Sequence, residues 1–256
     1  LPICTERHRP SMERGRLYAV WRRVLGLSWP VMVEQTVRTA MRTTDIIVTG
    51  LFSPAAIAAI GLADLYSRFP LRIGLGLGGG AIALSSQDTG AGAAANRDEA
   101  VTQAIVLGLV TGIPFVLFGF TFGYWAIAVL GATDTVASLG GTYLAIIFAT
   151  APARQVSLIA ARSLQGTGDT RTPMYVNVVA NGLNIVGSVV LGLGLLGVPR
   201  YEIVGVGAAT AFSNVFTAVV LCAVMFAGRT SAGFAMPTNP VIARQLVVVS
   251  APRVGE

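Results

Sequence analysis

Glu34, Arg38, Arg42 and Asp45 lie in one apolar segment near the start of the chain. On a helix, at about 100° per residue, the four fall within an arc of about 80°. Glu34 and Arg38 are four apart and Arg42 and Asp45 three apart, spacings at which side chains pair. Asp64, Arg68 and Arg72 repeat the stripe in the next apolar segment. Asn177, Asn181, Asn184 and Ser188 share a helix face within about 60°, and Thr210, Asn214 and Thr217 fall on one side of the helix after it. A carboxylate facing amide and hydroxyl oxygens is ligand chemistry for a hard cation such as sodium, and it equally suits a proton carrier. The same residues also serve plainer ends. Arginines and carboxylates at these spacings can simply hold helices in register, and amides across helices can act as packing glue at about 0.6 kcal/mol each.

These groups sit in a sequence built for lipid. Hydrophobic residues make up 54% of the chain and charged residues 12%, against roughly 25% charged in soluble domains. Mean hydropathy is +0.70. A spanning helix needs about 20 mostly apolar residues, and six segments qualify: 24–50, 55–84, 98–122, 135–164, 173–197 and 203–228. Breakers or polar clusters separate them: SPAA, QDTGAGAAANRDE, GATDT, QGTGDTRTP and VPRYE. A charge at mid-helix costs about 2.5 to 3.5 kcal/mol on insertion scales, so each buried charge calls for an inward face and a partner.

Arginine placement predicts the orientation, because positive residues near helix ends stay on the cytoplasmic side. Arg7, Arg9, Arg14, Arg16, Arg22 and Arg23 precede the first segment. Arg97, Arg162, Arg171, Arg229 and Arg244 mark alternate connections, and only Arg200 lies on the other side. Both ends are therefore expected in the cytoplasm of a multi-pass plasma-membrane protein. The net charge of +6 is a topology signal, not a nucleic-acid footprint, since no basic patch interleaves with aromatics. The basic N-terminal stretch lacks a clean short apolar core and reads as retained, although residues 1–11 precede the first methionine, Met12. Cys4, Cys222 and the single histidine, His8, offer no metal spacing and no disulfide framework.

The chain closes with an echo of its start. RRVLGLSWPVMVE (Arg22 to Glu34) set against RQLVVVSAPRVGE (Arg244 to Glu256) aligns Arg22 with Arg244, Ser28 with Ser250, Pro30 with Pro252 and Glu34 with Glu256. Internal repeats of six-helix units are characteristic of secondary transporters, and the echo falls where a seventh helix would begin. The expected organisation is a basic cytoplasmic tail at 1–23, a six-helix transmembrane lobe at 24–228, and a cytoplasmic linker with the start of a truncated seventh helix at 229–256. Gly74 with Gly78 and Gly76 with Gly80 give the small-xxx-small spacing of close helix approach. Pro70, Pro114 and Pro152 are expected within spans, where they free carbonyls and permit bends. H-E-x-x-H, G-x-S-x-G and paired catalytic carboxylates are absent from the sequence, so no enzyme is expected.

Five ordered motifs then carry a resemblance: TTDIIVTGLFSPAAIAAIGLA (Thr43 to Ala63), ALSSQDTGAG (Ala83 to Gly92), SLQGTGDTRTPM (Ser163 to Met174), NVVANGLNIVGS (Asn177 to Ser188) and VGVGAATAFSN (Val204 to Asn214). Together they resemble the multidrug and toxic compound extrusion (MATE) family. The resemblance implies an all-α membrane protein, a six-transmembrane-helix bundle that is one lobe of a two-lobe, twelve-helix transporter. It implies exchange of a cytoplasmic organic cation or drug for sodium or protons by alternating access, with no cofactor beyond the coupling ion. The implied partners are the lipid bilayer, the cargo and a missing C-terminal lobe. It also implies a cation site on Asp45, Asn184 and Thr210, where Na+ would be held. The sequence departs from the family pattern at Ser188, which stands where an aspartate is frequent, leaving one carboxylate instead of two. The intramembrane arginines keep a lipid-linked oligosaccharide flippase of similar architecture open as an alternative, and a non-transporting truncated module is a third.

Overall fold

Several predicted boundaries end or start a helix for a local reason. Ser53 sits in extended conformation before Pro54, accepts the backbone N–H of Ala56 at 3.1 Å, and so starts the second helix with its first proline already in a helical φ. Asp169 accepts the N–H of Thr172 at 3.0 Å and caps the helix that begins at Arg171. That helix ends at Gly194, whose φ of 74° is left-handed, and a Cβ there would lie 2.9 Å from the Arg200 backbone.

The computed structural model describes residues 12–254. The order is α1 (Met12–Gly50), α2 (Pro54–Gly90), α3 (Ala94–Ala128), α4 (Asp134–Ala149), α5 (Ala151–Gly166), α6 (Arg171–Leu193), α7 (Glu202–Phe226) and α8 (Pro240–Val254). The described residues contain no strand. Cys4, His8, Arg7, Arg9 and Glu256 lie outside the described residues. With 39, 37 and 35 residues, α1, α2 and α3 run roughly 50 to 60 Å, well past the ~30 Å hydrocarbon layer.

Three helices, α3, α6 and α7, are long and apolar enough to cross a membrane, and α4 with α5 passes as one span bent by 49°. The expected single helix over 135–164 is thus corrected: it breaks at Thr150, whose φ of −103° and ψ of 12° leave the helical region. Pro152 does not bend a span from within. It occupies the first turn of α5, where the N–H that it lacks would have had no helical partner. The charged stripes hold α1 and α2 below the same apolar threshold.

Two apolar clusters stack along the bundle. One joins Val48, Ala59, Ala63, Ile127, Leu144, Phe148 and Val206. The other joins Leu77, Val101, Ala104, Ile159, Leu164, Leu221 and Leu246 from α2, α3, α5, α7 and α8. Backbones approach closely where α3 meets the bent pair: a Cβ on Gly112 would lie 2.5 Å from the Pro152 Cα, and one on Gly123 2.9 Å from the Gly141 carbonyl oxygen. Of the predicted glycine contacts, Gly74 and Gly78 face α5, whereas Gly80 meets Ser250 and Leu246 of α8.

That last contact extends the expectation for the chain's final stretch. Residues 229–239 are clasped by the first turns of α3. Glu99 accepts the N–H of Thr238 at 2.6 Å and that of Asn239, and Gln103 donates to the Asn239 carbonyl at 3.0 Å. Asp98 accepts the N–H of Gly233 at 3.0 Å, and Thr102 that of Ala235 at 3.1 Å. From Pro240 the chain turns into α8, which seats Leu246 and Ser250 against α2.

Candidate ion and substrate site

α6 lies between α1 and α7 and presents its amide face to both. Asn184 and Ser188 are fully buried, and Asn181 is buried on the same face. Ser188 donates to Asp45 Oδ1 at 2.7 Å and lies 3.3 Å from Asn184 Oδ1. Asn184 donates from Nδ2 to Thr210 Oγ1 at 3.0 Å, and Thr210 donates onward to the Val206 carbonyl at 3.1 Å. Asp45, Ser188, Asn184 and Thr210 therefore form one run of polar contacts through three helices.

Proton counting fixes the direction of this chain. A threonine hydroxyl has one hydrogen, and that of Thr210 is spent on Val206, so its oxygen must accept. The Asn184 amide is held with nitrogen toward Thr210 and oxygen toward Ser188. Ser188 likewise has one hydrogen, and the shorter, charged acceptor Asp45 takes it. Asn184 Oδ1 is left short of a donor, beside a carboxylate and a serine oxygen with free lone pairs. Oxygens converging without donors suit a hard cation. The described residues contain no group of three or more His, Cys, Asp or Glu side chains able to hold a metal, so a cation here would rest on one carboxylate and neutral oxygens.

A second polar knot lies further along the same faces. Arg38 donates to Glu34 Oε1 at 2.8 Å, and Asn177 donates to the same oxygen at 3.3 Å and to the Pro173 carbonyl at 2.9 Å. Glu34 is buried, and its Oε2 has no hydrogen-bond partner among the described residues. A small cavity of about 40 Å³ borders Glu34, Arg38, Arg162 and Asn177.

Other predicted residues are placed differently. The Arg42–Asp45 pair allowed by spacing does not form, because Asp45 turns to Ser188 on α6 while Arg42 is exposed. Asp64 and Arg68 pair loosely at 3.8 Å with both side chains about half exposed or more, and Arg72 lies exposed one turn on. Asn214 donates to the Thr150 hydroxyl at 3.3 Å, so it meets the α4–α5 break and not the Asp45 chain. Thr217 donates to the Ser213 carbonyl at 2.8 Å, a bond within α7.

Sequence reasoning missed three members. Ser213 ties α7 to α6 by donating to the Ala180 carbonyl at 2.9 Å. Arg154, in the first turn of α5, lies within electrostatic range of Arg42, Arg38 and Asp64. The buried Tyr143 hydroxyl lies within range of Asp45, Asp64, Arg154 and Arg42. The signal for Arg154 was a lone arginine two residues after a proline inside a long apolar run.

A bundle of long apolar helices, lined with polar side chains along one interior seam and tied across it by a carboxylate, fits a membrane-transport lobe. The chain belongs to the MatE family, whose model matches residues 30–190, more than half of its length. It is similar to a probable multidrug resistance protein NorM of Rhodopseudomonas palustris, 31% identical over 206 residues that cover 78% of this chain and 43% of that protein. A NorM relative from Photorhabdus laumondii is 28% identical over 211 residues, 80% of this chain and 46% of that protein. In fold, the chain superposes on a MOP superfamily transporter from Pyrococcus furiosus with a TM-score of 0.83 at 23% identity, covering 91% of this chain and 51% of that one. The chain spans a little under half the length of the curated relatives it matches. The family is one of transporters, and the matched extent is that of one lobe.

Proposed function

We propose that this chain forms the N-terminal lobe of an antiporter that exports small organic molecules by alternating access, coupled to sodium or protons through Asp45. The observation that carries the reading is the chain from Asp45 through Ser188 and Asn184 to Thr210, because it joins α1, α6 and α7 through one exchangeable charge. A cation or proton at Asp45 competes for the oxygens that Ser188 now satisfies, and so it changes how α6 sits between its neighbours. Such occupancy drives transport only if it differs between the inward-open and outward-open arrangements. A second lobe of similar build supplies the surface against which this one rocks, and the arginine distribution supports a cytoplasmic N-terminus in the plasma membrane.

The multidrug resistance names of the relatives support drug-like cargo. The family resemblance implies organic cations among it, but Arg42, exposed on α1, and the half-buried Arg154 of α5 do not favour a positively charged guest. The test is export from proteoliposomes holding the transporter that carries this lobe, driven by an imposed sodium or proton gradient. Asp45→Asn is expected to abolish gradient-driven export of fluorescent probes of either charge. Undiminished export by that variant sinks the coupling role.

A further inference from the structure

Glu34 and Asp45 are eleven residues apart on α1, and Asn177 and Ser188 are eleven apart on α6. Asn177 donates to Glu34 Oε1 at 3.3 Å and Ser188 donates to Asp45 Oδ1 at 2.7 Å, so the two contacts share one sequence offset of 143 residues. Eleven residues make about three helical turns and a rise of about 16 Å, which returns each helix to the same face within about 20°. α1 and α6 therefore run parallel and meet at two acids set at matching intervals. No proline or glycine interrupts α1 between Glu34 and Asp45, and α6 has no proline after Pro173. A slide or roll of α6 that frees Asp45 thus strains the Asn177 contact as well.

The Glu34 end is built to let go. Its charge is met on its own helix by Arg38 at 2.8 Å, a pair that does not depend on where α6 sits. Glu34 is buried, its Oε2 has no hydrogen-bond partner among the described residues, and it lines a cavity of about 40 Å³ together with Arg38, Arg162 and Asn177. One water needs roughly 10 to 15 Å³, so water can fill the place that Asn177 leaves. Asn177 also donates to the Pro173 carbonyl at 2.9 Å, which fixes its nitrogen on the Glu34 side. α6 and α7 bear no charge beyond Arg171 and Glu202 at their first residues, so α6 grips both acids through neutral donors. The charged groups at the Glu34 cavity are Arg38 of α1 and Arg162 of α5, while Asp45 has Arg42 three residues before it and Tyr143 of α4 within electrostatic range.

We infer that Glu34 is a positioning residue for Asp45: through Asn177 it fixes the register of α6 on α1, and so it sets how readily Ser188 yields Asp45 to the coupling ion. The inference rests on the antiporter reading and deepens it by naming what tunes the ion site. With both contacts made, α6 holds Asp45 against an incoming ion. The ion enters as α6 leaves, and the two contacts are lost together. Contacts broken by one event are linked, so weakening the hold of Asn177 raises ion affinity at Asp45, and ion occupancy loosens the Glu34 end in return. A contact that merely supports the fold predicts the opposite sign, since a looser fold holds its ion less well.

The test uses the purified transporter carrying this lobe in proteoliposomes. Export of ethidium and of carboxyfluorescein is timed across a series of NaCl concentrations at fixed pH and a series of pH values without sodium, which separates the half-saturating ion concentration from the maximal rate. Asn177→Ala is expected to lower the half-saturating concentration by about three- to tenfold, the worth of one hydrogen bond. Asn177→Gln keeps an amide donor on the same face and is expected to stay within about twofold of the unaltered protein. Ser213→Ala removes a comparable bond between α7 and the Ala180 carbonyl of α6, and it is expected to lower the melting temperature while leaving half-saturation unmoved. Half-saturation that is unmoved or raised in Asn177→Ala, or lowered as far by Asn177→Gln or Ser213→Ala, overturns the inference. Undiminished export by Asp45→Asn defeats the antiporter reading. Export abolished by Asp45→Asn, with half-saturation indifferent to Asn177→Ala, defeats this inference alone.

Discussion

Asn184→Ala removes the α6 side chain that reaches Thr210 on α7. Asn184 is fully buried. It donates to Thr210 at 3.0 Å and lies 3.3 Å from the Ser188 hydroxyl. Truncation leaves Ser188 unharmed, since its proton goes to Asp45, but it strips Thr210 of the side-chain donor that Asn184 supplies and opens a space the size of an amide. One neutral hydrogen bond at about 1 kcal/mol and an unfilled void together give about 2 to 3 kcal/mol of destabilisation. The assay is reversible denaturant unfolding in mixed micelles, run as a cycle with Thr210→Val. If the bond is shared as described, the two substitutions are non-additive by about 1 kcal/mol, because the second removes a partner already lost. A loss under about 0.5 kcal/mol for Asn184→Ala, or strict additivity with Thr210→Val, refutes the proton-counting argument on which the orientation of the amide rests.

Three other outcomes follow from the geometry. Ser188→Asp sets a second carboxylate beside Asp45, so it should lower the melting temperature in sodium-free buffer and show a larger sodium-dependent rise than the unaltered protein; an equal or smaller rise argues against a cation site. Gly112→Ala drives a Cβ to 2.5 Å from the Pro152 Cα and should destabilise by about 1 to 3 kcal/mol, whereas Gly182→Ala, with nothing within 4 Å, should be neutral or slightly stabilising in thermal unfolding. Glu99→Ala leaves the N–H groups of Thr238 and Asn239 without their acceptor, so trypsin cleavage after exposed Arg229 should quicken by about tenfold while the rest of the bundle resists.

Much of this lobe was legible in its residues because membrane burial is an unforgiving filter. The amide face of α6 could be laid out from the spacing of Asn177, Asn184 and Ser188, and the structure brings Asp45 and Thr210 to it from helices 143 and 26 residues away in sequence. Spacing alone could not choose between acceptors. Arg42 is three residues from Asp45, yet a buried serine on α6 offered a shorter and better directed bond, and the arginine was left on the exposed side. The break at Thr150 hid inside an apolar run because hydropathy does not register a change of direction, and Pro152, its best local signal, also fits a gently bent helix. Arg154 was obscured by the same long segment. The docking of α8 depends on the hollow at Gly80 receiving Ser250, a long-range fit that no local pattern encodes.

The clasp that Asp98, Glu99, Thr102 and Gln103 place around residues 229–239 turns α8 from a trailing rope into an outrigger. Rotation of the bundle is passed to α8 without slack, so a probe fixed at exposed Val248 will report the attitude of the whole lobe and not the wandering of a tether.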